Sequence, residues 1–180
     1  WGDYYGAMVD PFGVHWAFAP VVDLNSDPLN PIINVRAFGE DPLEVGRLGA
    51  AFVRGCQSAG ILACAKHFPG HGATRTDSHT RLPVVPVSQG EAWKRELVPF
   101  REAVRAGVAS IMTAHVAFPA FDGKTPATLS RRMVTDLLRC EIGFKGLVVT
   151  DSHRMGAISR GFDEGEAGLQ ALLAGCDVLL

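Results

Sequence analysis

The pattern that most limits what this chain can fold into is a rhythm that occurs four times. A stretch with helical spacing is followed by a glycine, a short continuous apolar run and then a polar side chain. It passes through Gly60 and residues 61–66 to His67, through Gly107 and residues 108–114 to His115, and through Gly146 and residues 147–150 to Asp151, then restarts at Gly175 with residues 176–180. Strands that are apolar on both faces and alternate with amphipathic helices specify a parallel sheet covered by helices. Right-handed crossovers make such a sheet either a barrel or an open doubly wound sheet. No G-x-G-x-x-G or G-x-x-x-x-G-K-[ST] loop follows any strand, which favours the barrel. A closed barrel has eight strands and only four or five are legible. The expected fold class is therefore α/β, a (β/α)8-type TIM-like barrel present as an incomplete fragment that lacks its first and last strand units.

Residues 1–12 read as the end of a helix closing at Pro11 and Gly13, and residues 15–23 as a strand whose pairing weakens at Pro20. Residues 24–42 form a long loop rich in Asn, Asp and Pro. The buried-looking Ile32, Ile33 and Phe38 mark it as functional rather than disordered. Pro42 opens a helix carrying Val45, Leu48, Gly49, Phe52 and Val53, which ends near residues 58–60. Ser88-Gln89-Gly90-Glu91 has the form of a capping box, with the stripe Trp93, Leu97, Phe100 and Val104 behind it and Pro99 kinking or restarting the helix. Ser130 is placed to cap a helix that carries Val134, Leu137 and Leu138 and stops at Gly143, and residues 164–174 form a last helix.

With 47% hydrophobic and 20% charged residues, the chain can bury a core as one domain or a large part of one. Its formal net charge of −2, with Lys and Arg scattered, gives no footprint for nucleic acid or an anionic membrane; a small neutral or weakly charged partner fits better. Cys56, Cys64, Cys140 and Cys176 lack C-x-x-C spacing and read as buried free thiols. No run approaches the roughly 20 apolar residues of a membrane span. The chain starts at Trp1 without a methionine, so a bacterial cytoplasmic location and a secreted or cell-envelope one are both compatible with it, and its oligomeric state is unspecified.

In a parallel sheet under helices the carboxyl ends of the strands share one face, where ligands bind. His67, His115 and Asp151 should converge there. Asp151 ends a buried apolar strand, where a carboxylate is costly unless hydrogen-bonded or used, so it reads as a nucleophile or a substrate anchor, with capping of the next helix as the structural alternative. Asp77 lies two residues from His79 on a Gly- and Thr-rich loop and can orient its imidazole, an arrangement for general acid/base work or for a loop-stabilising hydrogen bond. Lys66 and His67 aim a cation and a donor at the pocket, suited to oxygen-rich ligands. Arg36 could hold a ligand or pair with Glu40 or Asp41. The spacing His67-x-x-x-His71 raises a metal site as a rival, but Pro69-Gly70 argues against the helix that would put both rings on one face; no metal or other cofactor is assigned.

Several motifs together carry a resemblance across essentially the whole chain. They are Phe18-Ala19-Pro20-Val21-Val22-Asp23, Asn30-Pro31, Arg36-Ala37-Phe38-Gly39-Glu40-Asp41-Pro42, Lys66-His67-Phe68-Pro69-Gly70-His71-Gly72 with Asp77-Ser78-His79, Met112-Thr113-Ala114-His115, Pro126-Ala127-Thr128-Leu129-Ser130 and residues 143–151. The chain resembles glycoside hydrolase family 3, in its β-N-acetylglucosaminidase branch. That resemblance implies a partial N-terminal catalytic barrel domain over residues 1–180 and retaining hydrolysis of a terminal β-linked N-acetylglucosamine, as in cell-wall muropeptide turnover. It makes Asp151 the nucleophile, His79 the acid/base, Asp77 its dyad partner, and Arg36, Lys66 and His67 sugar-binding residues. Phosphorolysis by the same machinery and a catalytically silent sugar-binding homologue are the alternatives. Two departures stand out: His153 replaces a usually apolar residue, and the family's substrate-binding aspartate from a Gly-rich loop would lie upstream of Trp1.

Overall fold

The computed structural model describes residues 12–180. Apart from Phe12, the helix end expected over residues 1–12 lies outside the described residues. Four strands, β1 (Trp16–Ala17), β2 (Leu62–Phe68), β3 (Ser110–Thr113) and β4 (Leu147–Thr150), pair in parallel, and their spatial order is their chain order. Val178 bridges Val149 in the same sense, so the segment expected at residues 176–180 continues the sheet beyond β4. Among the described residues the order never reverses, and a reversal is what creates the ligand crevice of a doubly wound sheet. The chain is an α/β fold built on a parallel sheet.

Both faces of that sheet are apolar, which explains the continuous runs. Ala63, Ala65, Ile111 and Val148 pack into the large core shared with the helices, while Cys64, Met112 and Val149, with Trp16 and Val178, form a second cluster. Successive strand residues thus serve opposite faces, as the two-residue strand period dictates. Phe68 meets Phe100 edge-to-face at 5.4 Å, and both are fully buried; each side chain's burial is worth roughly 1.5–3 kcal/mol.

The first strand is shorter than expected, for the reason Pro20 suggests. Pro20 has no N–H to donate, yet its carbonyl still accepts from Lys66 N at 3.1 Å, and Val22 N then donates to Lys66 O at 2.8 Å. Pairing therefore breaks and resumes, and carries the chain to Asp23. β3 is also shorter than residues 108–115, whereas β2 runs two residues beyond 66.

Helix α1 (Pro42–Ser58) starts as its sequence predicts, with Pro in its first turn and the Asp41 side chain accepting from Glu44 N at 2.8 Å. A Cβ at Gly49 would stand 2.7 Å from Val22 Cγ1, so this helix lies close against the segment that leads to Asp23. The capping box forms: Ser88 and Glu91 bond reciprocally at the start of α2 (Gln89–Lys94), and Pro99 restarts the chain as α3 (Val98–Arg105). A short α4 (Pro119–Asp122) precedes a π-helix over Arg132–Glu141, where an α-helix was expected. Ser130 Oγ still accepts from Met133 N at 3.1 Å. This helix buries Met133, Val134, Leu137 and Leu138 and turns Cys140 outward, so Cys140 is exposed while Cys56, Cys64 and Cys176 are buried. Burial raises the thiols of Cys64 and Cys176 to about 11 and about 12. Helices α5 (Gly156–Ser159) and α6 (Glu164–Ala174) complete the chain, with Gly175 left-handed at φ 113° where α6 ends. No helix among the described residues is long and apolar enough to cross a membrane.

Candidate active site

The loops leaving β1, β2 and β4 meet over the carboxyl end of the sheet. A cavity of about 150 Å³ there is lined by Arg36 and Ile32 from the first loop, Lys66 and His67 from β2, His79 from the loop after it, and Asp151 from the end of β4. Every residue singled out for sugar binding or catalysis except Asp77 lines this cavity, and Asp77 holds one that does. A larger groove of about 620 Å³ runs past Asp27, Arg75 and Arg81 and contains none of the strand-end groups.

Lys66 and His67 are consecutive, and regular strand alternation would send them to opposite faces. A bulge prevents this. Lys66 pairs with Met112 and Phe68 with Thr113, so His67 is the extra residue and both side chains reach the cavity. The Lys66–His67 and Phe68–Pro69 peptides are cis. Burial lowers the Lys66 amine below its ordinary value, and Arg36 pushes the same way, against Asp151 and Asp23.

Asp23 is the residue that sequence reasoning missed. It is fully buried, and its Oδ2 accepts both His67 N at 2.9 Å and His67 Nδ1 at 2.7 Å, while Oδ1 accepts His71 N at 2.7 Å. Burial is the largest influence on this carboxyl and pushes it up, but His67 and His71 together outweigh it and hold the group below its ordinary value. A carboxylate only accepts, so Nδ1 of His67 is the donor and Nε2 is the ring atom available to a ligand. The same rule that flagged Asp151, a carboxylate closing an apolar strand, applied to Asp23.

Asp77 and His79 repeat this design on the surface. Asp77 Oδ1 accepts His79 N at 2.7 Å and His79 Nδ1 at 2.8 Å, again leaving Nε2 to the cavity. The side chains are 37% and 62% exposed, so the pair adds little to stability and its effect is orientation. Burial acts upward on Asp77 as the largest influence, yet the His79 hydrogen bonds and charge leave its carboxyl lowered.

Asp151 is half-buried, and its Oδ1 accepts from Ser152 N at 2.8 Å. It does not cap the next helix: the N-cap of α5 is Met155, which makes no side-chain cap bond. Arg36 donates to Ile32 O at 3.2 Å and forms no ion pair with Glu40 or Asp41. Behind it Phe38 is 38% exposed rather than buried, with its ring 6.5 Å from Phe52, while Ile33 is fully buried.

Three histidines prove to be scaffold. His115 reaches the expected end of the sheet but is 1% exposed, with Nδ1 on Thr128 Oγ1 at 2.9 Å and Nε2 on Ser152 O at 3.0 Å. Burial lowers its imidazole to about 4. His153 is buried beside it, ring centroids 5.8 Å apart, and stands outside the cavity lining. His71 does touch the cavity, but Thr74 Oγ1 and Ser78 Oγ occupy both its ring nitrogens, and burial lowers its imidazole. Residues 69–71 are not helical, so His67 and His71 do not share a helix face.

Comparison with known proteins comes from sequence and from structure. The model of the glycosyl hydrolase family 3 N-terminal domain matches residues 2–180. The curated β-hexosaminidase A of Pseudoalteromonas piscicida is 42% identical over 187 residues, covering 97% of this chain and 31% of the relative. A solved family 3 β-N-acetylglucosaminidase from Paenibacillus sp. str. FPU-7 superposes with a TM-score of 0.97 at 46% identity, over 99% of this chain and 34% of that one. The solved β-glucoside phosphorylase BglX superposes with a TM-score of 0.94 at 30% identity, over 99% and 34%. This chain thus spans about a third of the length of each.

Proposed function

This chain belongs to glycosyl hydrolase family 3, and from that membership we propose that it supplies part of the catalytic barrel of a retaining exo-β-N-acetylglucosaminidase. Residues 1–180 would form a partial N-terminal catalytic domain, with the parallel sheet as one arc of a (β/α)8 barrel. The sequential strand order supports that arc, and so does the second apolar cluster of Trp16, Cys64, Met112, Val149 and Val178, which packs apart from the core shared with the helices.

The observation that carries the proposal is one cavity lined by both a strand-end carboxylate, Asp151, and an imidazole, His79, whose Nδ1 is committed to Asp77. An Asp151 oxygen attacks the anomeric carbon while His79 Nε2 gives its proton to the glycosidic oxygen. The carbon–oxygen bond to the aglycone breaks, and a glycosyl ester on Asp151 remains. Neutral His79 then takes a proton from water, the water oxygen bonds the anomeric carbon, and the Asp151 carboxylate is released. Retaining glycosidases usually divide these roles between two carboxyl groups. An imidazole held by a carboxylate does the second carboxyl's work because its outer nitrogen donates a proton and, once neutral, accepts one. Lys66, His67 and Arg36 hold the sugar's oxygens, so that position and charge are set before reaction.

The names of the relatives support N-acetylglucosamine as the sugar. Muropeptides and chitooligosaccharides both present it at a chain end. Asp151→Ala in the complete protein is expected to abolish hydrolysis of an aryl N-acetyl-β-glucosaminide, and rapid turnover by that variant would sink the assignment.

The structural likeness to a phosphorylase favours one second reading. A neutral imidazole repels an incoming phosphate less than a carboxylate base would. Release of N-acetylglucosamine 1-phosphate when phosphate is added would establish it; free sugar alone would dismiss it.

A further inference from the structure

We infer that Gly156 and Ala157 are positioning residues: the first turn of α5 latches the loop that carries His79 and so sets the acid/base group relative to Asp151 on its own chain segment. Gly156 N donates to His79 O at 3.0 Å, and Ala157 N donates to Ser78 O at 3.0 Å. The approach is close enough to exclude any side chain. A Cβ on Gly156 would lie 2.7 Å from both His79 O and Thr80 O, and those are backbone atoms that cannot swing aside.

The far end of the same loop is clamped separately. Asn30, buried at 1% exposure, points Nδ2 at the carbonyls of His71, Gly72 and Thr74 at 2.9, 3.2 and 2.9 Å. Asn30 Oδ1 accepts Ile32 N and Ile33 N, which ties this end to the segment bearing Arg36. The His79 side chain is 62% exposed, and Asp77 is its one charged partner among the described residues, so its ring is placed by where the loop backbone is held. The chain leaves Asp151, turns through Met155 and returns at Gly156 to grip that backbone. Nucleophile and acid/base loop are therefore fastened to each other within six residues of sequence.

The inference rests on the acid/base role proposed for His79. Its signature is a dependence on the leaving group, because a displaced acid matters most when the departing oxygen needs a proton. The test compares Gly156→Ala, Ala157→Pro and His79→Ala in the complete protein. Ala157→Pro removes one latch donor without adding a Cβ at Gly156, and proline is tolerated in a first helical turn, so it serves even if Gly156→Ala does not fold. With N,N′-diacetylchitobiose, kcat should fall roughly 10- to 100-fold with KM within about twofold, the scale of a misplaced catalytic group. With a dinitrophenyl N-acetyl-β-glucosaminide, kcat/KM should stay within about threefold of the parent, and azide should restore kcat with formation of the β-glycosyl azide. Folded variants with parental kcat on the disaccharide, or equal losses on both substrates with no azide rescue, would overturn the latch. If His79→Ala shows no leaving-group dependence, the acid/base reading itself fails; if His79→Ala shows it and the latch variants do not, the latch alone fails.

Discussion

The two Asp–His pairs share one bonding pattern and differ in burial and in the bond from His71 N that Asp23 alone accepts. In each, one carboxylate oxygen accepts both the backbone N–H and Nδ1 of the same cavity-lining histidine, which leaves Nε2 as the ring nitrogen the carboxylate does not engage. The buried pair suits a static sugar contact and the exposed one suits proton exchange with solvent. Asp77→Ala should therefore lower kcat by about 10²-fold or more with little change in KM, whereas Asp23→Asn should act mainly on KM, by about tenfold, since a charge-assisted bond to the binding histidine is weakened. Steady-state kinetics on one aryl glycoside separate the two, and a reversed split would contradict the assignment. pH adds a second check. The folded pKa of His115 lies near 4 and the unfolded value near 6.5. Its neutral burial thus favours the fold fully above 6.5, and the advantage is lost as pH falls from 6.5 toward 4, where the unfolded chain takes up a proton that the folded one refuses. The thermal midpoint of His115→Gln, measured across that interval, should fall less steeply than the parent's. The sequence showed the Asp77–His79 pair because its members stand only two positions apart; the Asp23–His67 pair spans 44 positions and needs the fold to bring it together.

The helices were legible because their signals are local: Asp41 before Pro42, the Ser88–Glu91 box, Pro99 as a restart and Gly175 as a stop all act within a few residues. The bulge at His67 has no such mark, since it depends on the register of β2 against β3, and neither has the π-winding over Arg132–Glu141. Close approaches between elements are also invisible in one dimension, and two glycines make this testable. A Cβ on Gly72 would fall 1.5 Å from Leu24 O, so Gly72→Ala should destabilise the protein by at least about 3 kcal/mol, among the larger single-site effects. Gly90, exposed in α2 with open space around its Cβ position, should gain about 0.5–1 kcal/mol as Gly90→Ala. Denaturant midpoints of the two variants should move in opposite directions, and movement in the same direction would mean that the packing around one of them is misread.

At the scale of the molecule, the repeated helix–glycine–strand rhythm announced a parallel α/β sheet, and the strand-end rule located the face on which Arg36, Lys66, His67, His79 and Asp151 meet. It overreached with His115, because a strand end places a residue on the right face without saying whether its ring points into the cavity or beneath it. In the proposed reaction Asp151 forms a covalent glycosyl ester while His79 moves protons. The complete protein carrying His79→Ala, mixed with a dinitrophenyl N-acetyl-β-glucosaminide and quenched in acid, tests it directly, since loss of the base slows release of the ester. Peptide mass mapping should find one N-acetylglucosaminyl group on the peptide containing Asp151; the same adduct on a different residue would contradict the account.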